Sequence, residues 1–184
     1  MLTFTKTDID GVYIIEPKVF GDDRGYFMET YSEADFKKAG LNYIFVQDNQ
    51  SKSKKGVLRG LHFQTKHPQA KLVRVIKGEV FDVAVDLRAN SKTYGKWVGV
   101  LLSETNKKQL LIPRGFAHGF LVVSDTAEFV YKCDELYHPE DDGGIIYSDP
   151  DINIKWPAIN APILLSEKDK KHKTLKEANI KFDL

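Results

Sequence analysis

The chain has 184 residues, a length that favours one domain and lets roughly two-thirds of the extended-chain surface be buried without disulfide or metal staples. Hydrophobic residues make up 42% and charged residues 29%, which excludes low-complexity disorder, collagen and a membrane bundle. Lys plus Arg number 27 against 26 Asp plus Glu, so the net charge of +1 supplies no global field for a polyanion and nucleic acid is not an expected partner.

From the N-terminus onward, glycine and proline punctuate short runs rich in Val, Ile, Leu and Phe, at strand spacing. Strands are predicted over 12–19 and 25–31. Ser32 as cap, acids in the first turn, Lys in the last turn and Gly40 beyond predict one short helix. Further strands are predicted over 43–49, 56–64, 71–77, 80–88, 95–102, 109–113, 119–123 and 127–133, with Lys77 and Gly78 as a tight turn. The run 80–88 alternates cleanly, with Phe81, Val83, Val85 and Leu87 on one face and Asp82, Asp86 and Arg88 on the other. So many short strands without long helical patterns predict a mainly β fold, an antiparallel barrel or sandwich with few helices. After Pro139 the chain turns acidic and rich in Gly and Pro, which predicts a loop and C-terminal tail over 139–184; Ser166 there is a candidate cap for a short helix. No internal repeat or linker divides the chain, so 1–184 is read as one domain. The lone Cys133, and a start without basic and apolar signal regions, point to a reducing cytoplasm. The longest apolar runs fall far short of the roughly 20 residues of a membrane helix.

Two of the five histidines sit inside strand-like apolar runs, His62 and His118. His67, His138 and His172 read as loop residues and receive no role. Arg59 and His62 are separated by an odd number of positions, so strict alternation sends them to opposite faces. For both to serve one site the strand must bulge, and Gly60 is the residue type that tolerates it. Lys71 and Tyr131 are the other polar residues embedded in apolar runs. Together these side chains offer a base, an acid, a cation and an anion clamp.

The pattern Pro113-x-Gly115-x-x-His118 resembles the second motif of the cupin barrels, whose histidine usually ligates a metal. The paired histidines of the first cupin motif are missing, because Gly60 and Gln64 flank His62 at those positions. Three protein ligands are the usual requirement for a catalytic metal, so neither metal nor another cofactor is expected.

Six ordered segments carry a closer likeness: Asp23-Arg24-Gly25-Tyr26-Phe27-Met28-Glu29, Gln47-Asp48-Asn49, 56–64, 71–75, 115–120 and Ser166-Glu167-Lys168-Asp169. Through them the chain, from about Gly11 to Asp169, resembles the dTDP-4-dehydrorhamnose 3,5-epimerases, metal-independent cupin-type jelly-roll barrels. The resemblance implies epimerisation of a dTDP-linked 4-keto-6-deoxy sugar at carbons 3 and 5, with the tail closing the site. It implies that His62 is the base, Asp169 its partner, Lys71 the enolate stabiliser and Tyr131 the acid on the opposite face. Arg24, Phe27, Glu29, Gln47, Asp48, Asn49, Arg59, His118, Asp142 and Lys168 are the implied substrate contacts. It further implies a homodimer that exchanges N-terminal strands. Arg114 departs from the family, where an acidic residue often stands. Single-site epimerisation or ketoisomerisation of a related sugar, and a non-catalytic sugar-binding barrel, remain open alternatives.

Overall fold

A computed structural model describes residues 1–184 as thirteen strands and two short α-helices. The strands are β1 (Leu2–Lys6), β2 (Tyr13–Pro17), β3 (Val19–Asp22), β4 (Gly25–Met28), β5 (Gln47–Lys54), β6 (Leu58–Gln64) and β7 (Lys71–Lys77). They continue with β8 (Glu79–Asp86), β9 (Trp97–Ser103), β10 (Gln109–Ile112), β11 (Phe116–Val122), β12 (Thr126–Cys133) and β13 (Asp142–Gly144). The helices are α1 (Glu33–Lys38) and α2 (Leu175–Ala178). None is long and apolar enough to cross a membrane.

Two antiparallel sheets form the body, as the mainly β, cupin-type reading expects. One runs in the order β1-β2-β10-β7-β12-β5 and the other β13-β6-β11-β8-β9, while β3 and β4 form a separate hairpin. The predicted strand 71–77 coincides with β7, and the expected helix forms with the Ser32 side chain accepting from the Asp35 N–H. Gly78, at φ +74°, turns the chain between β7 and β8. That turn is a corner between sheets rather than a hairpin, since β7 and β8 pair with different neighbours.

Several boundaries depart from the sequence reading for local reasons. The run 12–19 is split at Pro17 and Lys18 into β2 and the start of the hairpin. The predicted strand 43–49 forms only from Gln47, then continues to Lys54 through a polar stretch that carries no hydrophobic alternation. β1, β13 and α2 were not expected; α2 begins at Thr174, whose side chain forms a capping box with Glu177.

Three apolar clusters hold the layers. Between the sheets lie Val73, Val75, Val80, Ala84, Leu102, Leu110, Phe120 and Phe129. On the outer face of the five-stranded sheet, Ile145, Ile152, Leu175 and Phe182 of the C-terminal segment cover Leu61, Phe63, Val83, Val85 and Leu87. Phe36 of α1 packs with Leu2, Ile15, Leu72 and Leu111 on the other sheet. Both faces of β8 are therefore covered, and its supposedly polar face, with the wholly buried Asp82, looks into the barrel.

The bulge required on β6 is present. His62 stands opposite His118 and Arg59 opposite Phe120, so β6 takes three steps where β11 takes two. Gly60 makes this possible: its φ is +120°, and a Cβ there would lie 2.5 Å from the Gly119 Cα. Gly60→Ala is expected to lose about 2–4 kcal/mol, combining left-handed strain with a backbone clash, measured by urea unfolding. An unchanged unfolding midpoint would contradict the close approach.

Candidate active site

The bulge turns Arg59 and His62 toward one cavity of about 360 Å³, which Leu164, Ser166, Lys168 and Asp169 of the tail also line. His62 Nε2 lies 2.6 Å from Asp169 Oδ1. The carboxylate can only accept, so Nε2 carries the proton and Nδ1, which makes no hydrogen bond within the chain, presents a lone pair. Asp169 is 3% exposed and is held by its turn, with the Ser166 hydroxyl accepting from its backbone N–H. Burial pushes its carboxyl upward, but the hydrogen bond and charge of His62, with Ser166, outweigh this and leave it below the usual carboxylate value.

The sheet opposite supplies Lys71 and Tyr131. On β12 the inward positions are Ala127, Phe129, Tyr131 and Cys133, and on β7 they are Lys71, Val73 and Val75, as their packing on the inter-sheet core requires. A ring series links the two sides: His118 stacks on Phe129 at 6.0 Å and Tyr131 meets the same ring at 5.9 Å. Neither the Lys71 ammonium nor the Tyr131 hydroxyl has a partner within the chain. Burial holds the Lys71 ammonium below its usual value against the nearby Cys133, Asp142 and Asp82, and pushes the Tyr131 phenol up. Tyr131 is therefore a protonated acid at neutral pH. Burial also drives the Cys133 thiol up to about 11, which makes it an inert wall.

Other anticipated residues lie on β5, β6, β11, β13 and the tail. His118 Nε2 is 2.9 Å from Asp82 Oδ2, where burial pushes the carboxyl up against the charge and hydrogen bond of His118. Arg59 donates to the Ser53 hydroxyl from Nε at 3.2 Å and Nη2 at 3.1 Å. Gln47 donates to Asn49, which donates to the Cys133 sulfur. Lys168 is ion-paired with Asp142, whose Oδ2 also accepts from the Tyr137 hydroxyl at 3.1 Å.

Four anticipated residues lie elsewhere in the chain. Asp48 points to the outer face of β5, paired with Lys132 at 2.9 Å, because it alternates with Gln47 and Asn49. Arg24 binds only Asp22 on the exposed hairpin, Phe27 is 70% exposed there, and Glu29 holds the N-terminal ammonium. The departing residue Arg114 is a fixture of the barrel rim, ion-paired with Asp134 at 2.9 Å. Asp82, Tyr137 and His172 escaped the sequence reading. The one available signal was Asp82, a carboxylate set among apolar strand residues.

A two-sheet antiparallel barrel with an imidazole–carboxylate pair at a cavity on one sheet, and an ammonium and a phenol without hydrogen-bond partners on the other, is a cupin-type barrel whose side chains can carry protons. The sequence profile of the dTDP-4-dehydrorhamnose 3,5-epimerase family matches residues 6–177, and the chain belongs to that family. It is 60% identical over 175 residues to a dTDP-4-dehydrorhamnose 3,5-epimerase of Methanothermobacter thermautotrophicus, covering 95% of each chain. Identity to the Escherichia coli K12 enzyme of the same name is 56% over 174 residues, 94% of each. Its fold superposes with a TM-score of 0.95 over 100% of both chains on a dTDP-6-deoxy-D-glucose-3,5-epimerase of Legionella pneumophila, 48% identical and solved in complex with dTDP-4-keto-L-rhamnose.

The lowered Asp169 carboxyl fixes a pH dependence. A depressed folded value adds stability above the unfolded carboxylate value of about 3.9, and that stability is lost as pH falls through the folded value. The stability difference between wild type and Asp169→Asn is thus expected to be largest near neutrality and to shrink below about pH 4, read by denaturant unfolding at stepped pH. A difference that widens on acidification would contradict the pairing.

Proposed function

We propose that the chain epimerises dTDP-4-dehydro-6-deoxy-D-glucose at carbons 3 and 5, giving dTDP-4-dehydro-L-rhamnose, through His62 and Tyr131 acting from opposite sides of the sugar. The supporting observation is the free Nδ1 lone pair of His62, set by the Nε2–Asp169 contact, in a barrel whose opposite wall carries Lys71 and Tyr131. His62 Nδ1 takes the proton from the carbon beside the keto group, and the electron pair of that C–H bond moves onto the carbonyl oxygen. The Lys71 ammonium stabilises that oxygen as its charge develops, which lowers the barrier because the contact strengthens in the transition state. Asp169 holds the imidazole in the useful tautomer and stabilises it once protonated. Return of a proton by His62 would only restore the starting sugar. Tyr131 instead donates to the opposite face and is left as phenolate, and exchange with solvent then deprotonates the imidazolium and reprotonates the phenol. The same steps serve the second carbon.

Arg59 and Lys168 supply positive charge for the diphosphate, Arg59 with the fork geometry suited to phosphate oxygens. Gln47, Asn49, His118 and Asp142 offer polar contacts to the rest of the nucleotide sugar.

His62→Asn is expected to lower kcat by about 10²–10⁴-fold, the scale of a positioned acid or base. In deuterated water, the wild-type product is expected to carry deuterium at both carbons by NMR. Tyr131→Phe is expected to keep substrate C–H exchange while losing inversion. Label at one carbon only would identify a single-site epimerase, and unchanged turnover in His62→Asn would identify a sugar-binding barrel.

A homodimer belongs to the same reading. β1 is hydrogen-bonded to β2 within the chain, so the hairpin β3–β4 is the N-terminal element free to reach a second copy. It exposes Phe20, Tyr26 and Phe27 at 52%, 58% and 70% and carries Arg24 at its tip. A second copy, offering its barrel mouth to this hairpin, would bring Arg24, Phe27 and Glu29 to the site that their own chain does not supply with them. Light scattering is expected to give twice the chain mass at micromolar concentration; a monomer would contradict it.

A further inference from the structure

His172 stands apart from the acid–base set just described. Both of its ring nitrogens are buried and have no hydrogen-bond partner, a costly state for a polar ring that signals an absent ligand. The ring lies edge-on to His62, with centroids 5.6 Å apart. Its place exists because position 144 is glycine: a Cβ there would sit 2.1 Å from the His172 Cε1. Donor atoms of His62, Asp169 and His172 all lie within 4.8 Å of one another.

Two imidazole nitrogens and a carboxylate oxygen, with His62 and Asp169 on the wall of the 360 Å³ cavity, form the donor set of a borderline divalent transition metal. Metal–donor distances of about 2.0–2.2 Å require the trio to contract. His172 can turn toward the others without breaking any hydrogen bond, because it makes none. A cation there gains the negative charge of Asp169, against the Arg59 guanidinium and the Asp142-paired Lys168 ammonium on the same cavity wall. We propose that His62, Asp169 and His172 bind one Zn²⁺, Co²⁺ or Ni²⁺ ion per chain, and that the bound ion inhibits the enzyme.

Inhibition rests on the role of His62 given above; binding does not. An ion at His62 Nε2, the nitrogen beside Asp169, moves the imidazole proton to Nδ1 and fixes the tautomer that has no base there. An ion at Nδ1 occupies the lone pair itself. In either case the carbon acid loses its proton acceptor, while Arg59 and the diphosphate contacts are untouched. The ion is therefore expected to lower kcat more than it raises KM.

The test uses the full chain without a histidine tag. Without substrate, Zn²⁺ is titrated by calorimetry and Co²⁺ by its visible absorption, and one ion per chain is expected, removed by EDTA. His172→Gln is expected to weaken binding at least about tenfold, whereas His67→Gln, at a histidine that stacks on His138 away from the trio, leaves it unchanged. In the second arm, turnover of each protein is normalised to its own metal-free rate. Wild-type turnover is expected to fall with the bound fraction and return with EDTA, and His172→Gln to need correspondingly more metal. No stoichiometric binding, or binding that survives His172→Gln, overturns the site. Binding without loss of turnover overturns the inhibition. A chain that lacks epimerase activity even when metal-free would fail the functional reading and leave the binding arm intact.

Discussion

The contact between Asp169 and His62 joins two parts of the chain that the rest of the architecture serves to bring together. Burying a carboxylate is unfavourable unless a hydrogen-bonded partner offsets the lost hydration, and Asp169 has both the His62 ring and the backbone turn organised by Ser166. The tail can deliver it only because Ile145, Ile152, Leu175 and Phe182 are pinned to the outer face of the five-stranded sheet. The apolar packing is thus the anchor, and the His62–Asp169 hydrogen bond sets which nitrogen of the imidazole carries the proton.

A second constraint acts from below, at the bulge on β6. Without the extra step beside Gly60, Arg59 and His62 would point to opposite sides of the sheet, and the charge for a diphosphate would be separated from the base by the thickness of the strand. Gly60 against Gly119 lets two backbones approach where any side chain would force them apart. The site is therefore built from backbone geometry before it is built from side chains.

The barrel interior has an unusual division of polar labour. Asp82 and His118 satisfy one another at the floor, and Phe129 lies between that pair and Tyr131. Lys71 and Tyr131 make no side-chain hydrogen bond within the chain, and burial disfavours the charged form of each. His172, edge-on to His62, goes further, since both of its ring nitrogens are buried without a partner, and this motivates the metal site. Groups left unsatisfied in a well-packed interior mark where something else is expected to bind.

Strand period, glycine punctuation and the Ser32 cap are local, so the mainly β character, β7, α1 and the need for a bulge at Gly60 could all be read from residue order. Residue order also brought forward His62, His118, Lys71 and Tyr131 as polar groups in apolar runs, and family resemblance added Asp169. What only the tertiary structure decided was pairing and facing. The alternation of β8 separates its two faces but does not say which is inside, so nothing in residue order placed Asp82 in the barrel interior. β5 lacks apolar alternation because its ladder to β12 carries it, and β13 exists only as three residues added to β6. His172 sits in a charged, surface-like stretch, and nothing within a few positions of it signals His62. Sequence records periodicity and residue chemistry over short range, whereas a site is assembled from contacts more than a hundred positions apart, and those depend on how the sheets close.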